Sequence, residues 1–418
     1  MSDRAIRDTF AIGLMTGTSL DGVDAALVRI RETVVEGQEG QIVRGGEDLQ
    51  CQLLHFISIP YSPQLRAEIE AQCHNEASTV AGICSLNMKL GEIYQKSVEA
   101  LLSEVELERV QDPERLMGFS GAVDFIASHG QTIYHLPPAV ANEKGFTPST
   151  LQIGDPSLLA YHFRCDVYFN FRMMDIAAGG DGAPLVPMTE YLLYRHPDYH
   201  RLLQNIGGIG NVTLLPCKAS IEEISAFDTG PGNMMINDAM RFLYQRDFDR
   251  DGEVARSGRL IPELFKELQA DPYLAQQPPK STGREYFGAQ YTLPLLERYR
   301  AYAPEDLIHT LTRFSAYSIA ESYRRFIFPF YKIDQVIVAG GGAYNSALME
   351  YLEAELAGVA LLTQEDLGFS SDAKEAMAFA LLGYLTKERR AGNLPTATGA
   401  SDAVVLGQIC PNPFPEGD

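Results

Sequence analysis

The sequence predicts an α/β protein built from two related halves, and three observations carry that prediction. Two Gly-rich turns, each set between apolar runs, read as strand-turn-strand hairpins: residues 13–24 and residues 205–211. A third Gly-rich stretch, 339–345, follows the apolar strand 336–338 and opens a helix, as backbone that lies close to a flat ligand often does. Short apolar runs of strand length also alternate with stretches whose apolar residues recur at helical spacing, the pattern of open α/β sheets. Three Gly-rich turns in one chain, each at a strand end, favour ligand binding over simple punctuation.

At 418 residues the chain is long enough for two or three domains of about 100–200 residues each. Its 45% hydrophobic and 21% charged residues are those of a globular protein. Net charge is −21, which excludes a general nucleic-acid or anionic-membrane binder, so any grip on phosphate has to be local. No apolar run approaches the roughly 20 residues of a membrane helix, and the N-terminal stretch lacks an apolar signal core. A soluble, cytoplasmic protein is expected. Cysteines 51, 73, 84, 165, 217 and 410 form no Cys-x-x-Cys pair, and no histidine pair has metal-binding spacing, so reduced thiols and no zinc site are expected.

The elements follow in order. After the first hairpin, 31–47 reads as a loop and 49–60 as a third strand. Ser62 is placed to cap a helix through about Cys73, and 79–110 forms a long helix through Val80, Ile83, Leu86, Leu90, Ile93, Val98 and Leu101. The strand 123–127 ends in Ser128-His129-Gly130-Gln131-Thr132, compact polar groups at the sheet edge where open α/β folds bind ligands. A Pro-rich loop at 136–149 precedes Asp155-Pro156, a start signal for a helix to about Phe163. Strand 165–171 leads into Arg172 and Asp175, then a flexible 179–184 and a helix to about Arg195.

In the second half, the strand 224–227 ends at Asp228 and a helix follows from about Asn233. Loops at 248–252 and 278–285 supply cations, Lys280 and Arg284 among them, that an acidic protein needs against phosphate. Helices at 306–326 and 375–388 complete that half, and the tail after 392–400 is expected to fold back on the first. The domains are expected at 1–198 plus 390–418, and 199–389.

The first turn itself offers exposed N–H groups, three hydroxyls, and two carboxylates able to bridge a hydrated divalent cation to phosphate. Read alone, an ordinary hairpin remains open beside a phosphate-gripping one.

The stretches 16–24, 128–132, 151–156, 175–187, 205–211, 227–233, 280–285, 340–345 and 393–400 resemble, in order, motifs of the anhydro-N-acetylmuramic acid kinase family. That family lies within the actin, sugar-kinase and heat-shock-chaperone ATPase superfamily. The resemblance implies an actin-like, ribonuclease-H-like duplicated fold: two α/β domains, each on a five-stranded mixed sheet, with the active site in the cleft between them. It also implies a kinase that uses ATP and magnesium to open the 1,6-anhydro ring with water and phosphorylate the freed O6, giving N-acetylmuramic acid 6-phosphate in cell-wall recycling.

On that resemblance Gly17, Thr18, Ser19, Leu20, Asp21, Gly22, Val23 and Asp24 form the first phosphate loop. Asn205, Gly207, Gly208 and Asn211 form the second, and Gly340, Gly341, Gly342 and Asn345 the adenosine contact. Asp228 matches the catalytic base. His129, Gln131, Arg172, Asp175, Lys280 and Arg284 fall on the sugar side, and Asp21 and Glu375 on the metal side. A homodimer is implied as well.

The chain departs from the family pattern at Asn170, Met173 and Met174, at Asp181 where Gln is usual, and in the long 136–149 loop. Less local positive charge keeps a levoglucosan kinase as the competing expectation. A chaperone-like ATPase of the same superfamily is the alternative of a different class.

Overall fold

The computed structural model describes residues 4–17, 20–36, 42–44, 49–74, 76–111, 114, 116–219, 223–367 and 369–414. These residues form two compact units, 1–193 with 372–418, and 194–371.

The first unit is built on β1 (Arg4–Met15), β2 (Gly22–Glu36), β3 (Ile42–Arg44), β4 (Gln50–Pro60) and β5 (Phe125–Ser128). A separate two-stranded sheet pairs β6 (Gln131–Leu136) with β7 (Ser149–Ile153), and β8 (Asp166–Phe169) returns to the main sheet. In that sheet β1 pairs antiparallel with β2, and β2 with β4, whereas β1 to β5 and β5 to β8 are parallel. The second unit contains β9 (Arg201–Ile206), β10 (Ile209–Leu215), β11 (Ser225–Pro231), β12 (Gln335–Ala339) and β13 (Ala360–Thr363) in the order β11-β10-β9-β12-β13. Its pairings repeat the first set: two antiparallel, then two parallel. That repeated strand order is the duplicated, actin-like α/β fold that the sequence led us to expect.

Several expectations are corrected. The first sheet has seven strands rather than five, because β3 pairs with β2 inside the stretch read as a loop, and β14 (Gln408–Cys410) from the tail pairs with β8. The 136–149 stretch is not all loop, since the helix Pro138–Lys144 lies within it. The third correction concerns the helix Lys374–Lys387, assigned to the second domain, which belongs to the first unit. Every residue from Ala376 to Thr386 is buried, and a helix that is apolar on all sides can be covered only by packing on more than one side.

Side-chain alternation along β1 explains how that helix fits. Phe10, Ile12 and Leu14 join one core with Leu86, Leu90, Tyr94 and Val98 of the helix Val80–Gln111. The opposite face of β1 carries Gly13, where an added Cβ would stand 1.9 Å from the Ala376 carbonyl oxygen. Glycine therefore sets the distance between β1 and the helix that carries Glu375. Beyond the helix, Glu32, 1% exposed, accepts hydrogen bonds from the Tyr384 hydroxyl and Arg390 Nη1, both at 2.7 Å. Gly13→Ala is expected to cost about 1–3 kcal/mol, the range for overpacking a filled core. Urea unfolding checks this, and an unchanged midpoint would mean that the helix moves aside freely.

In the second unit the helix Pro304–Phe326 covers the sheet, with Ile319 and Tyr323 joining Leu202, Val212, Val336 and Val338 in one core.

Candidate active site

The first unit holds the turn after β1 with buried polar groups. Thr16 is 2% exposed; its hydroxyl lies 3.4 Å from that of Tyr94, and its carbonyl accepts from His129 Nδ1 at 3.3 Å. The Gly17 carbonyl accepts from Gln131 Nε2 at 3.2 Å, and Gln131 Oε1 accepts from the Tyr61 hydroxyl at 3.4 Å. The polar stretch after β5 thus serves as the bed of this turn. Leu20 closes the turn in the left-handed region, φ 55°. Gly22 is required by packing, because a Cβ there would stand 2.3 Å from the Ile59 carbonyl oxygen. Thr18 and Ser19 lie outside the described residues.

His129, expected on the sugar side, is 4% exposed. Nε2 accepts from Arg172 Nε at 2.9 Å, and Nδ1 faces a carbonyl, so the ring is neutral with its proton on Nδ1. Burial, reinforced by the Arg172 charge, pushes its pKa down to about 3. Both ring nitrogens have partners inside the protein, and the ring aligns Arg172. Arg172 Nη1 donates to the Gly182 carbonyl at 2.8 Å, which fixes the guanidinium on a second side.

Asp175, also expected at the sugar, is 0% exposed. It accepts from Asn393 Nδ2, the Thr398 hydroxyl and the Gly182 N–H at 2.8, 2.7 and 2.8 Å. With every bond directed inward, it fastens the tail and the 179–182 loop to the helix Arg172–Ala177. Asn170 sits at φ 53°, a left-handed position that Asn tolerates well, which gives that departure from the family a backbone reason.

Asp21 is exposed and Asp24 half-buried. Burial raises the Asp24 pKa, and the charges of Asp21 and Asp372 add to it against a hydrogen bond from Ser58. Glu375 is raised first by burial, then by Asp24 and Asp21, with Lys374 and Arg172 opposing. The charge of Asp21 thus reaches both Asp24 and Glu375. Among the described residues no three acidic, His or Cys side chains form a ready metal shell. Oxygen donors in this number suit magnesium, which keeps several waters and takes one or two protein carboxylates together with phosphates.

In the second unit, three motifs meet along one register line. Asn205 of β9 opposes Asn211 of β10, Asn211 opposes Asp228 of β11, and Ala339 of β12 lies on the other side of Asn205. Opposed residues share a face, so Asn205, Asn211 and Asp228 form a polar row. The carbonyls of Gly207 and Gly208 accept from the N–H groups of Asn233 and Gly232 at 2.8 and 2.9 Å, closing the second hairpin. Gly340, φ 82°, approaches so near that a Cβ would stand 2.6 Å from Asn205 Oδ1, and one on Gly342 would stand 2.3 Å from Ile206 Cγ2. Gly341 has open space on its Cβ side, with only Asn233 Nδ2 at 3.9 Å. Asn345 is 6% exposed, and its Oδ1 caps the helix Ser346–Glu355 through the Leu348 N–H at 3.1 Å.

Asp228 lies within a strand, not at its end. The Ser318 and Ser322 hydroxyls donate to the Thr229 carbonyl at 2.6 and 3.2 Å, and Ser315 donates to the Gly232 carbonyl at 2.7 Å. The serine row of the Pro304–Phe326 helix thus holds β11 past residue 228. Asp228 itself donates its N–H to the Lys280 carbonyl at 3.0 Å and accepts the Tyr273 hydroxyl on its carbonyl at 2.9 Å. Its Oδ2 accepts from the Thr282 N–H at 2.8 Å.

Lys280 is only 8% exposed and turns its ammonium toward aromatic rings. Arg284, in contrast, opens the helix Arg284–Phe287 and is exposed, with no side-chain partner among the described residues. Sequence reasoning missed Tyr94, Tyr273 and Asp271. Asp271-Pro272 carries a helix-start signal that can be read, whereas the two tyrosines belong to no motif.

A sequence profile of the anhydro-N-acetylmuramic acid kinase family matches residues 9–412. The chain belongs to that family. Relatives bearing the family's name include one from Bacillus thuringiensis subsp. konkukian (strain 97-27), 45% identical over 402 residues, and one from Francisella tularensis subsp. novicida (strain U112), 46% identical over 400. Both alignments cover 96% of this chain and 98% of the relative. Among solved structures, component A of (R)-2-hydroxyglutaryl-CoA dehydratase from Acidaminococcus fermentans aligns at 12% identity and TM-score 0.37, covering 89% of this chain and 95% of that one. A ROK hexokinase from Thermus thermophilus aligns at 12% identity and TM-score 0.31, covering 90% and 100%. As a member of a kinase family, the chain draws its phosphoryl group from ATP. No helix among the described residues is long and apolar enough to cross a membrane.

Proposed function

We propose that this chain is an ATP-dependent kinase that hydrolyses the 1,6-anhydro ring of 1,6-anhydro-N-acetylmuramic acid and phosphorylates O6. The observation that carries this reading is the 45% identity, over 96% of the chain, to kinases named for that sugar. The water oxygen bonds to C1 as the C1–O6 bond breaks, and O6 takes the γ-phosphoryl group as ADP leaves. Asp228 takes the proton from water, a role that suits a carboxylate whose backbone is held on both sides and whose Oδ2 is aimed by the Thr282 N–H.

Gly17 to Asp24 in the first unit, and Asn205, Gly207, Gly208 and Asn211 in the second, bind the phosphates, and Gly340 and Gly341 lie along the adenosine. Arg172 still offers Nη2 and the second Nη1 hydrogen, an end-on pair matched to the sugar's lactyl carboxylate. Arg284 adds an exposed cation with no side-chain partner among the described residues. Asp21 and Glu375 would hold magnesium, which supplies positive charge to the phosphates when bound. The protein acts as a cytoplasmic homodimer, which light scattering tests by its mass.

Coupled ADP release measured with ATP, magnesium and a panel of anhydrosugars tests the reaction. Stimulation by 1,6-anhydro-N-acetylmuramic acid, with label from 18O-water entering at C1, is the expected result. Stimulation by levoglucosan alone, or ADP release without sugar, would overturn it. Chelation with EDTA is expected to bring turnover to background, and added magnesium to restore it; full activity in EDTA would remove the metal.

A further inference from the structure

We infer that Lys280 is a positioning residue for Asp228: its caged ammonium pins the 273–282 loop around the base. The inference deepens the proposed reaction and rests on it.

The Lys280 Nζ stands 4.5 Å from the ring centre of Tyr273, 5.0 Å from that of Phe326 and 6.0 Å from that of Phe227. It also donates to the Tyr273 carbonyl at 3.4 Å. Aromatic faces attract a desolvated cation, so charge as well as packing holds the side chain here.

The same two residues grip Asp228. The Lys280 carbonyl takes its N–H, the Tyr273 hydroxyl reaches its carbonyl, and Thr282, two residues along the loop, binds its Oδ2. Tyr273 is anchored in turn by Asp271, whose Oδ1 accepts its N–H at 2.9 Å and whose carboxylate also takes the hydroxyls of Tyr286 and Tyr291. The charged groups around the ammonium are Arg325 on the covering helix and Asp228 on β11. Burial and Arg325 bring the Lys280 pKa down to about 8, while Asp228 supports the charge. Attraction to Asp228 works in both directions, so the ammonium favours the ionised base.

A lysine that touched substrate would be exposed, and its loss would raise KM. A positioning lysine acts on kcat and on the pH profile. Lys280→Met, nearly isosteric, is expected to lower kcat about tenfold, to change KM for ATP and sugar by less than about twofold, and to move the acid limb of kcat up by about half a pH unit. Lys280→Arg is expected to restore most of kcat and the limb. A raised KM with unchanged kcat, or an unmoved limb, would overturn the inference. Should Lys280→Met not fold, Phe326→Leu removes one ring and keeps the lysine; its acid limb is expected to move the same way, and an unmoved limb is equally decisive. Sugar-dependent ADP release by the wild type, and its loss in Asp228→Asn, test the reaction separately. With both in place, a negative result falls on Lys280 alone; without them, reaction and inference fall together.

Discussion

Asp228→Asn is expected to lower sugar-dependent turnover by at least about a hundredfold, because a positioned general base contributes about 10²–10⁴-fold. The substitution is selective by construction. The asparagine oxygen can still accept the Thr282 N–H, and the bonds to the Lys280 carbonyl and from the Tyr273 hydroxyl are main-chain bonds on Asp228 that do not depend on its side chain. Fold and loop should therefore persist, and so should nucleotide binding, while proton acceptance and the carboxylate's attraction for the Lys280 ammonium are lost. Steady-state kinetics with calorimetric titration of ATP separates these effects. Near wild-type turnover would remove Asp228 from the role, and a large drop in thermal midpoint would recast it as structural.

What the sequence made legible was mainly backbone logic. Gly-rich turns between apolar runs located both hairpins, and the structure sets the 339–345 stretch beside the second. Ser62 caps its helix through the Leu65 N–H. Burial of polar residues was not legible, because the residue type does not say which way a side chain faces. Asp175 lies in a motif, yet its partners Asn393 and Thr398 come from 218 and 223 residues along the chain. Lys280 reads as a phosphate-seeking cation until Tyr273 and Phe326 are seen around it. The helix Lys374–Lys387 was assigned to the wrong half because a segment apolar on all sides gives no direction for its packing. Gly13, the residue that decides it, looks like any other glycine of a turn-flanking strand.

His129 should make the protein sensitive to acid, and His129→Gln should relieve much of that sensitivity. The glutamine amide can donate to the Thr16 carbonyl and accept from Arg172 Nε, keeping both bonds without a titrating ring. In the folded wild type, burial and the Arg172 charge hold the imidazole neutral down to about 3, whereas in the unfolded chain it protonates near its ordinary value of 6.5. A depressed pKa means that the unfolded state binds the extra proton first. Stability is therefore lost as pH falls from 6.5 toward about 3, by up to about 1.4 kcal/mol per unit. Between pH 7 and about pH 4.5, the wild type should lose roughly 2–3 kcal/mol more than the variant. Asp24 and Glu375, whose pKa values are raised, act in the opposite sense as pH falls, but they are common to both proteins and cancel in the difference. Urea midpoints at several pH values measure it. Parallel stability curves would mean that the folded protein protonates His129 as readily as the unfolded chain, and that the ring is not the neutral link between Arg172 and the turn after β1.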